Sequence, residues 1–267
     1  MHNSVSFRWL GVAGVELTAN GRTLVVDPFF SRPPFKRFLF GRIWPNRKLV
    51  REKVAACDFL LVTHAHWDHI MDVPEVALHT GAFTFGSPNT CRLLTLLGVP
   101  EKQISLIRIG DKLTLGDFRV EVLPSDHRLI PFLPGPGPLA SNLRPPLRLR
   151  DYRMDFCFSF LVEVEGYRFL LQPGKKVVRA DFLFIVPTKQ SPSHYSSLMH
   201  RVQPKVVIPI HWDNLFRPLS KPMREYTRPG GMGTSGLKQF VEEFAPGTRF
   251  LMPEAFRTYN LSELSET

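Results

Sequence analysis

The 267 residues are 43% hydrophobic and carry 34 basic against 24 acidic side chains, a formal net charge of +10, so the chain can build one full core and favours anionic partners. No apolar run reaches membrane-spanning length, and the N-terminus passes into strand-like sequence (Val5-Ser6-Phe7-Arg8-Trp9-Leu10) without a signal-peptide core, so neither a spanning nor an exported protein is expected. Cys57, Cys91 and Cys157 are odd in number, far apart and in apolar settings, which predicts core thiols rather than a disulfide framework and suits a reducing cytoplasm.

In chain order, residues 14–18 and 22–26 flank Ala19-Asn20-Gly21, a tight-turn signal that predicts a hairpin. Residues 29–48 then hold Arg32, Lys36, Arg37, Arg42, Arg47 and Lys48 with no acid, interleaved with Phe29, Phe30, Phe35, Phe38, Phe40 and Trp44. Proline content makes this a loop. Phe59-Leu60-Leu61-Val62 reads as a buried strand. Ser87-Pro88, an N-cap followed by proline, opens a helix with Leu93, Leu94, Leu96 and Leu97 on its apolar face and Gly98 at its end.

Strands are expected at 104–109, 112–115 and 118–123, followed by a second proline-rich basic loop, 128–153, with Arg128, Arg144, Arg148, Arg150 and Arg153 against Asp151. Residues 156–164 and 167–171 flank Glu165-Gly166 as a second hairpin, and strands at 182–186 and 206–210 come next. Ser191-Pro192 opens a helix through about residue 202, a third basic loop covers 214–230, and a last helix covers 235–244. Strands and helices interleave, giving an α/β architecture. The two hairpins suggest two similar halves, roughly 1–115 and 116–255, of a single domain with a C-terminal tail at 256–267.

The chemistry is concentrated in Thr63-His64-Ala65-His66-Trp67-Asp68-His69, at the C-terminal end of the 59–62 strand, where α/β folds present ligands. Three imidazoles and a carboxylate within six residues point to a metal, since neutral imidazole and carboxylate suit zinc and also manganese or iron. Two histidines one residue apart can turn to one ion, while Asp68 and His69 can turn to a second. His127, after the 118–123 strand, and His211, after the 206–210 strand, emerge at strand ends in the same way and are candidates to complete the set. His2, His79, His194 and His200 are read as ordinary surface, capping or core histidines. Asp27 and Asp72 are read as ordering loops and ligands rather than binding metal, and Trp67 and Trp212 as packing around the site.

Here the chain resembles the metallo-β-lactamase superfamily, through its His-x-His-x-Asp-His motif at 64–69 with strand-end histidines at 127 and 211. Leu24-Val25-Val26-Asp27-Pro28, His69-Ile70-Met71-Asp72-Val73-Pro74 and Ile208-Pro209-Ile210-His211-Trp212 resemble the branch containing ascorbate-phosphate lactonases and the phospholipase D enzymes acting on N-acyl phosphatidylethanolamine. The resemblance implies a four-layer αββα sandwich with the site along the shared edge of two sheets. It also implies one metal on His64, His66 and His127, and a second on Asp68, His69 and His211.

One position departs from that pattern. After Phe169-Leu170-Leu171 the family has Gly-Asp, whose carboxylate bridges both metals, whereas this chain has Gln172-Pro173-Gly174-Lys175-Lys176. A cation beside the pair opposes a second metal by Coulomb repulsion. Three arrangements stay open: one metal, two metals with a weak second site, or a site that binds without catalysis.

A bound Zn²⁺ would lower the pKa of its water from 15.7 to about 7 and polarise the electrophile. Asp68 would orient that water and accept its proton, and Lys175 would stabilise a developing oxyanion or a substrate phosphate. The three basic loops follow the site's strand ends and are expected to rim one positive, partly apolar mouth. The expectation is a metal-dependent hydrolase, with one or two ions, acting on a small anionic or amphiphilic substrate: a phosphodiester, phosphorylated lactone or lipid ester. The 29–48 segment is read as a loop folded on its own aromatics, as a peripheral membrane contact, or as a nucleic-acid contact. The alternative function is a non-catalytic protein binding an anionic membrane or nucleic-acid surface.

Overall fold

In the computed structural model, which describes residues 5–127, 134–174, 176–226 and 232–265, strands β1 (Ser6–Gly11), β2 (Gly14–Ala19) and β3 (Arg22–Val26) form an antiparallel meander. Asn20 and Gly21, at φ 52° and 76°, supply the left-handed turn that closes the expected hairpin. The chain continues through α1 (Phe35–Phe40), α2 (Arg47–Lys53), β4 (Phe59–Leu61), α3 (Trp67–Ile70), α4 (Val73–Thr80), β5 (Phe83–Gly86), α5 (Pro88–Leu96) and β6 (Ile104–Leu106). Next come β7 (Lys112–Leu115), β8 (Phe118–Pro124), β9 (Phe158–Val164), β10 (Tyr167–Leu171), β11 (Phe182–Ile185), α6 (Pro192–Val202), β12 (Val206–Pro209), α7 (Gly233–Phe244), β13 (Arg249–Phe250), β14 (Thr258–Asn260) and α8 (Leu261–Ser265).

Among the described residues the strands form two seven-stranded sheets, ordered β14-β1-β2-β3-β4-β5-β6 and β13-β12-β11-β10-β9-β8-β7. Each is antiparallel on one side and parallel on the other: β3 pairs β4 in parallel in the first sheet, and β10 pairs β11 in parallel in the second. The hairpins β2–β3 and β9–β10 therefore hold matching positions in the two strand orders.

Strands β11 and β12 of the second sheet read as unbroken apolar runs because both their faces are buried. Phe169, Leu171, Phe182, Phe184, Val206 and Ile208 face the main core shared with the first sheet, whereas Leu170, Leu183 and Val207 face a second core built with Tyr195 and Met199 of α6 and Leu237 and Val241 of α7. The sheets meet through contacts such as Phe7 against Phe184, edge to face at 5.3 Å. Val50, Val76 and Leu93 join the main core from α2, α4 and α5, which cover the first sheet. The result is helix, sheet, sheet, helix: an αββα sandwich.

Serine caps mark α5 and α6: the side chains of Ser87 and Ser191 accept from the backbone N–H of Thr90 and His194, with proline at the first turn of each. Two expectations change. The 29–48 segment is not a continuous loop, because Pro33 and Pro34 lie just ahead of a helix whose six residues contain no proline, and Asn46 caps the start of another. The strand expected at 104–109 stops at Leu106, and the chain turns where the Asp111 carboxylate accepts from the Arg108 N–H at 2.8 Å. No helix among the described residues is long and apolar enough to cross a membrane.

Candidate metal centre

Five strand ends converge at one edge of the sandwich. β3 and β4 run parallel, as do β10, β11 and β12, while β8 and β10 share a direction because both oppose β9. Their C-terminal ends bring forward Asp27 after β3, the 63–69 segment after β4, His127 after β8, Gln172 after β10 and His211 after β12.

The sequence-predicted ligands form two triads. Ligand atoms of His64, His66 and His127 lie within 4.8 Å of one another, as do those of Asp68, His69 and His211. Ring centroids of His66 and His127 are 4.5 Å apart, and those of His64 and His69 only 3.9 Å, so the triads adjoin. The Asp68 carboxylate faces both partners, with Oδ2 3.2 Å from His211 Nε2 and 3.9 Å from His69 Nε2.

Surrounding groups set the tautomers of His64, His66 and His69. Thr63 gives its hydroxyl proton to Asp27 Oδ2 at 2.5 Å, so its oxygen accepts from His64 Nδ1 at 3.0 Å. His64 Nε2 is left buried without a hydrogen-bond partner. His66 Nε2 donates to the Pro134 carbonyl at 3.0 Å, leaving Nδ1 with the lone pair. His69 Nδ1 donates to Asp27 Oδ2 at 2.7 Å, leaving Nε2 on the side of Asp68 and His211. A buried imidazole nitrogen with no partner costs desolvation that metal coordination would recover. The donor set and its preset tautomers therefore fit a divalent ion with borderline nitrogen and oxygen preference.

Asp27 organises this arrangement as expected of it. Wholly buried, it accepts from Thr63 N at 2.8 Å, Thr63 Oγ1, His69 Nδ1 and, at 2.9 Å, the Gln172 side-chain amide. Asp72 orders the start of the first basic segment through the N–H groups of Phe30 and Ser31, at 2.7 and 2.9 Å. Burial pushes its carboxyl up to about 6 against the pull of those donors.

Burial, reinforced by its neighbouring imidazoles, pushes His64 well below the usual histidine range, and burial also lowers His66. Burial alone would raise Asp68, but facing imidazoles of His69, His211 and His66 hold it well below the usual carboxylate range. A neutral His64 and His66 beside an ionised Asp68 are protonation states that metal ligation requires.

Lys175 lies outside the described residues, as do Arg128 and Arg228. What reaches the cluster from the end of β10 is Gln172, a residue the sequence reading passed over in favour of the lysine. The same turn needs Gly174, where a Cβ would lie 2.7 Å from the Pro124 carbonyl, on the segment leading to His127. Arg32, read from sequence as part of a surface basic loop, is instead buried against Asp213.

Backbone strain also gathers here. Among the described residues, the non-glycine positions at positive φ include Val12 (47°), Asp27 (45°), Arg32 (46°), Gln172 (53°) and His211 (58°), all at or behind the site. Such conformations cost of order 1–3 kcal/mol each and persist only where the surrounding structure over-determines them. No sequence signal marks them, since none is glycine.

Trp67 packs on Phe29, Phe38 and Phe216, with centroids 5.1, 4.7 and 6.0 Å away, so the first and third basic loops meet over the residue between His66 and Asp68. Trp212 stacks on Trp9 at 5.2 Å. Both tryptophans pack around the site as read. His79 serves structure, bonding the carbonyls of Glu75 and Val54.

A family model described as a β-lactamase superfamily domain matches residues 22–141. A UPF0173 metal-dependent hydrolase of Polynucleobacter asymbioticus is 24% identical over 231 residues, 80% of this chain and 75% of the relative. A UPF0173 metal-dependent hydrolase of Cupriavidus taiwanensis is 34% identical over 112 residues, 41% of this chain and 36% of the relative. Matches to further relatives of that description likewise span about half of those proteins or less. Among solved structures, Igni18, a metallo hydrolase of Ignicoccus hospitalis, aligns over 96% of this chain and 98% of its own at 17% identity and a TM-score of 0.61. The metallo-β-lactamase fold protein YhfI of Bacillus subtilis aligns over 97% and 99% at 11% identity and a TM-score of 0.60. These structures share the fold.

Proposed function

We propose that this chain is a metal-dependent hydrolase of the metallo-β-lactamase superfamily that uses zinc at the paired triads to hydrolyse an anionic or amphiphilic substrate. Candidates are a phosphodiester, a phosphorylated lactone or a lipid ester. The observation that carries this reading is the pair of adjoining triads, with Nε2 of His64 in the first of them buried and without a hydrogen-bond partner. His64, His66 and His127 would hold one ion, and Asp68, His69 and His211 a second. When bound, such an ion supplies hydroxide near neutral pH and polarises the electrophile.

The chain's own groups supply the rest. Asp68, held ionised by the imidazoles around it, is placed to orient the attacking water and accept its proton at Oδ2. Asp27 fixes the ring orientation of His69 so that proton and lone pair stay on opposite nitrogens. Gln172 keeps Asp27 from turning away. The positive charge of the chain, with the aromatic cluster of Trp67, Phe38 and Phe216 packed behind the loops beside the site, supports an anionic or amphiphilic substrate. Three free cysteines accord with a cytoplasmic setting.

The test is metal analysis of protein purified without added metal, followed by turnover of generic phosphodiester and lactone substrates with and without chelator. The expected result is bound zinc and chelator-sensitive turnover, with His66→Ala losing turnover and about one bound ion. A Lys175→Asp variant, which restores an anion after β10, is expected to tighten the second metal. A wild-type protein that binds no transition metal overturns the reading. Metal-independent binding to anionic surfaces without turnover would support the non-catalytic alternative.

A further inference from the structure

Helix α1 turns Phe38 inward onto Trp67 and Phe216, and turns Phe35, Leu39 and Phe40 to solvent, with Phe40 80% exposed. Trp44 is exposed beside them, its ring 3.9 Å from the Arg37 guanidinium. Large apolar side chains gathered on so short a segment mark a contact surface.

The second basic loop is clamped to the residues that follow this helix. Arg42 Nη1 donates to the carbonyls of Arg144 and Pro146, at 2.9 and 2.5 Å, and the Ile43 N–H donates to the Leu147 carbonyl at 2.8 Å. These contacts leave a crevice of about 310 Å³ whose lining includes Arg42, Arg144, Arg148 and Arg150. Its acid, Asp151, accepts from the Arg148 backbone N–H at 2.7 Å and so is engaged within the loop itself. Charge and apolar surface thus lie side by side, with Lys36, Arg37 and Lys48 adding cations in a segment, 29–48, that has no acid.

We propose that α1 and the arginine crevice form a docking face for an anionic lipid bilayer. Phe35, Leu39, Phe40 and Trp44 enter the boundary between headgroups and acyl chains, while the crevice guanidinium groups take lipid phosphates. A nucleic acid would use the same cations. Three of the four apolar groups, however, are side chains of one short helix with an aliphatic residue among them, which suits insertion better than a row of base-stacking platforms. The face is independent of turnover at the metal centre.

The experiment is co-sedimentation of the full chain, in its His66→Ala form so that hydrolysis plays no part, with phosphatidylcholine vesicles alone or mixed with phosphatidylglycerol. Binding to the mixed vesicles, falling with salt and accompanied by a blue shift that Trp44→Phe removes, is expected. Phe40→Asp with Leu39→Ser should weaken that binding at least roughly tenfold at unchanged circular dichroism, and Arg144→Glu with Arg148→Glu should do the same. Equal binding to neutral vesicles, undiminished binding by the variants, or affinity for a single-stranded oligonucleotide in place of vesicles overturns the proposal.

Discussion

Arg32 and Asp213 form a buried ion pair, Nη2 to Oδ2 at 2.5 Å with each side chain 1% exposed, across 181 positions of sequence. The pair stands behind His211. Asp213 Oδ1 accepts from the Val12 N–H at 3.0 Å, the Val12 carbonyl accepts from the His211 N–H at 2.6 Å, and Arg32 Nη1 donates to the Asn214 carbonyl at 3.1 Å. A cation of the first basic segment is thereby spent on holding a ligand of the second triad at its strained φ of 58°.

Removing one partner strands a buried charge. Asp213→Asn and Arg32→Met are each expected to cost about 3–5 kcal/mol, while the double variant Arg32→Met with Asp213→Leu costs less than their sum. Urea denaturation of the chelator-treated protein measures this. Metal titration should show the second site weakened and the first retained, because only His211 loses its backing.

Asp27 acts on metal affinity through His69. With Asp27→Ala, neither the Thr63 hydroxyl nor His69 Nδ1 has its carboxylate partner, so the His69 proton can move to the nitrogen that faces Asp68. The expected loss is about 10–100-fold in metal affinity. Competition against a chromophoric chelator checks it, and an unchanged affinity would remove Asp27 from the site's design.

The site was legible in sequence where its chemistry is local. Residues 64–69 declare themselves by density, and His127 and His211 by their place after apolar strands. The hairpins were legible because Asn20-Gly21 and Glu165-Gly166 carry turn chemistry, and α5 and α6 because Ser87 and Ser191 precede proline. Helix α1 was hidden by the prolines around it, which permit a short helix as readily as a loop. The role of Arg32 was hidden because its partner is remote in sequence, and a cation in a basic run looks like its neighbours. Gln172 was overlooked for a related reason: its amide matters only because Asp27, of the other sheet, lies 2.9 Å away.

The two triads should separate by mutation. His66→Ala removes a ligand only from the first and His211→Ala only from the second, so each is expected to lower metal stoichiometry by about one ion while sparing the other site. Elemental analysis after dialysis reads the count. Loss of all metal in both variants would mean that a single ion is shared.

Acid should destabilise the metal-free protein, beginning from the histidines. Burial holds His64 well below the ordinary 6.5, and lowers His66 too, so the folded chain keeps both neutral where the unfolded chain protonates them. Above 6.5 neither state binds the proton and their contribution to stability is complete. As pH falls below 6.5 the unfolded state binds more protons, and stability drops toward about 1.4 kcal/mol per pH unit for each ring until its folded value is reached. Asp68, held low by its imidazole neighbours, acts in the same direction, but its share is lost only in stronger acid, below 3.8. Urea denaturation at about pH 7.5 and about pH 5.5 should therefore differ by roughly 1–2 kcal/mol in the chelated protein, with a smaller difference in His64→Asn. Equal stability at the two pH values would show that these imidazoles are not held neutral by burial.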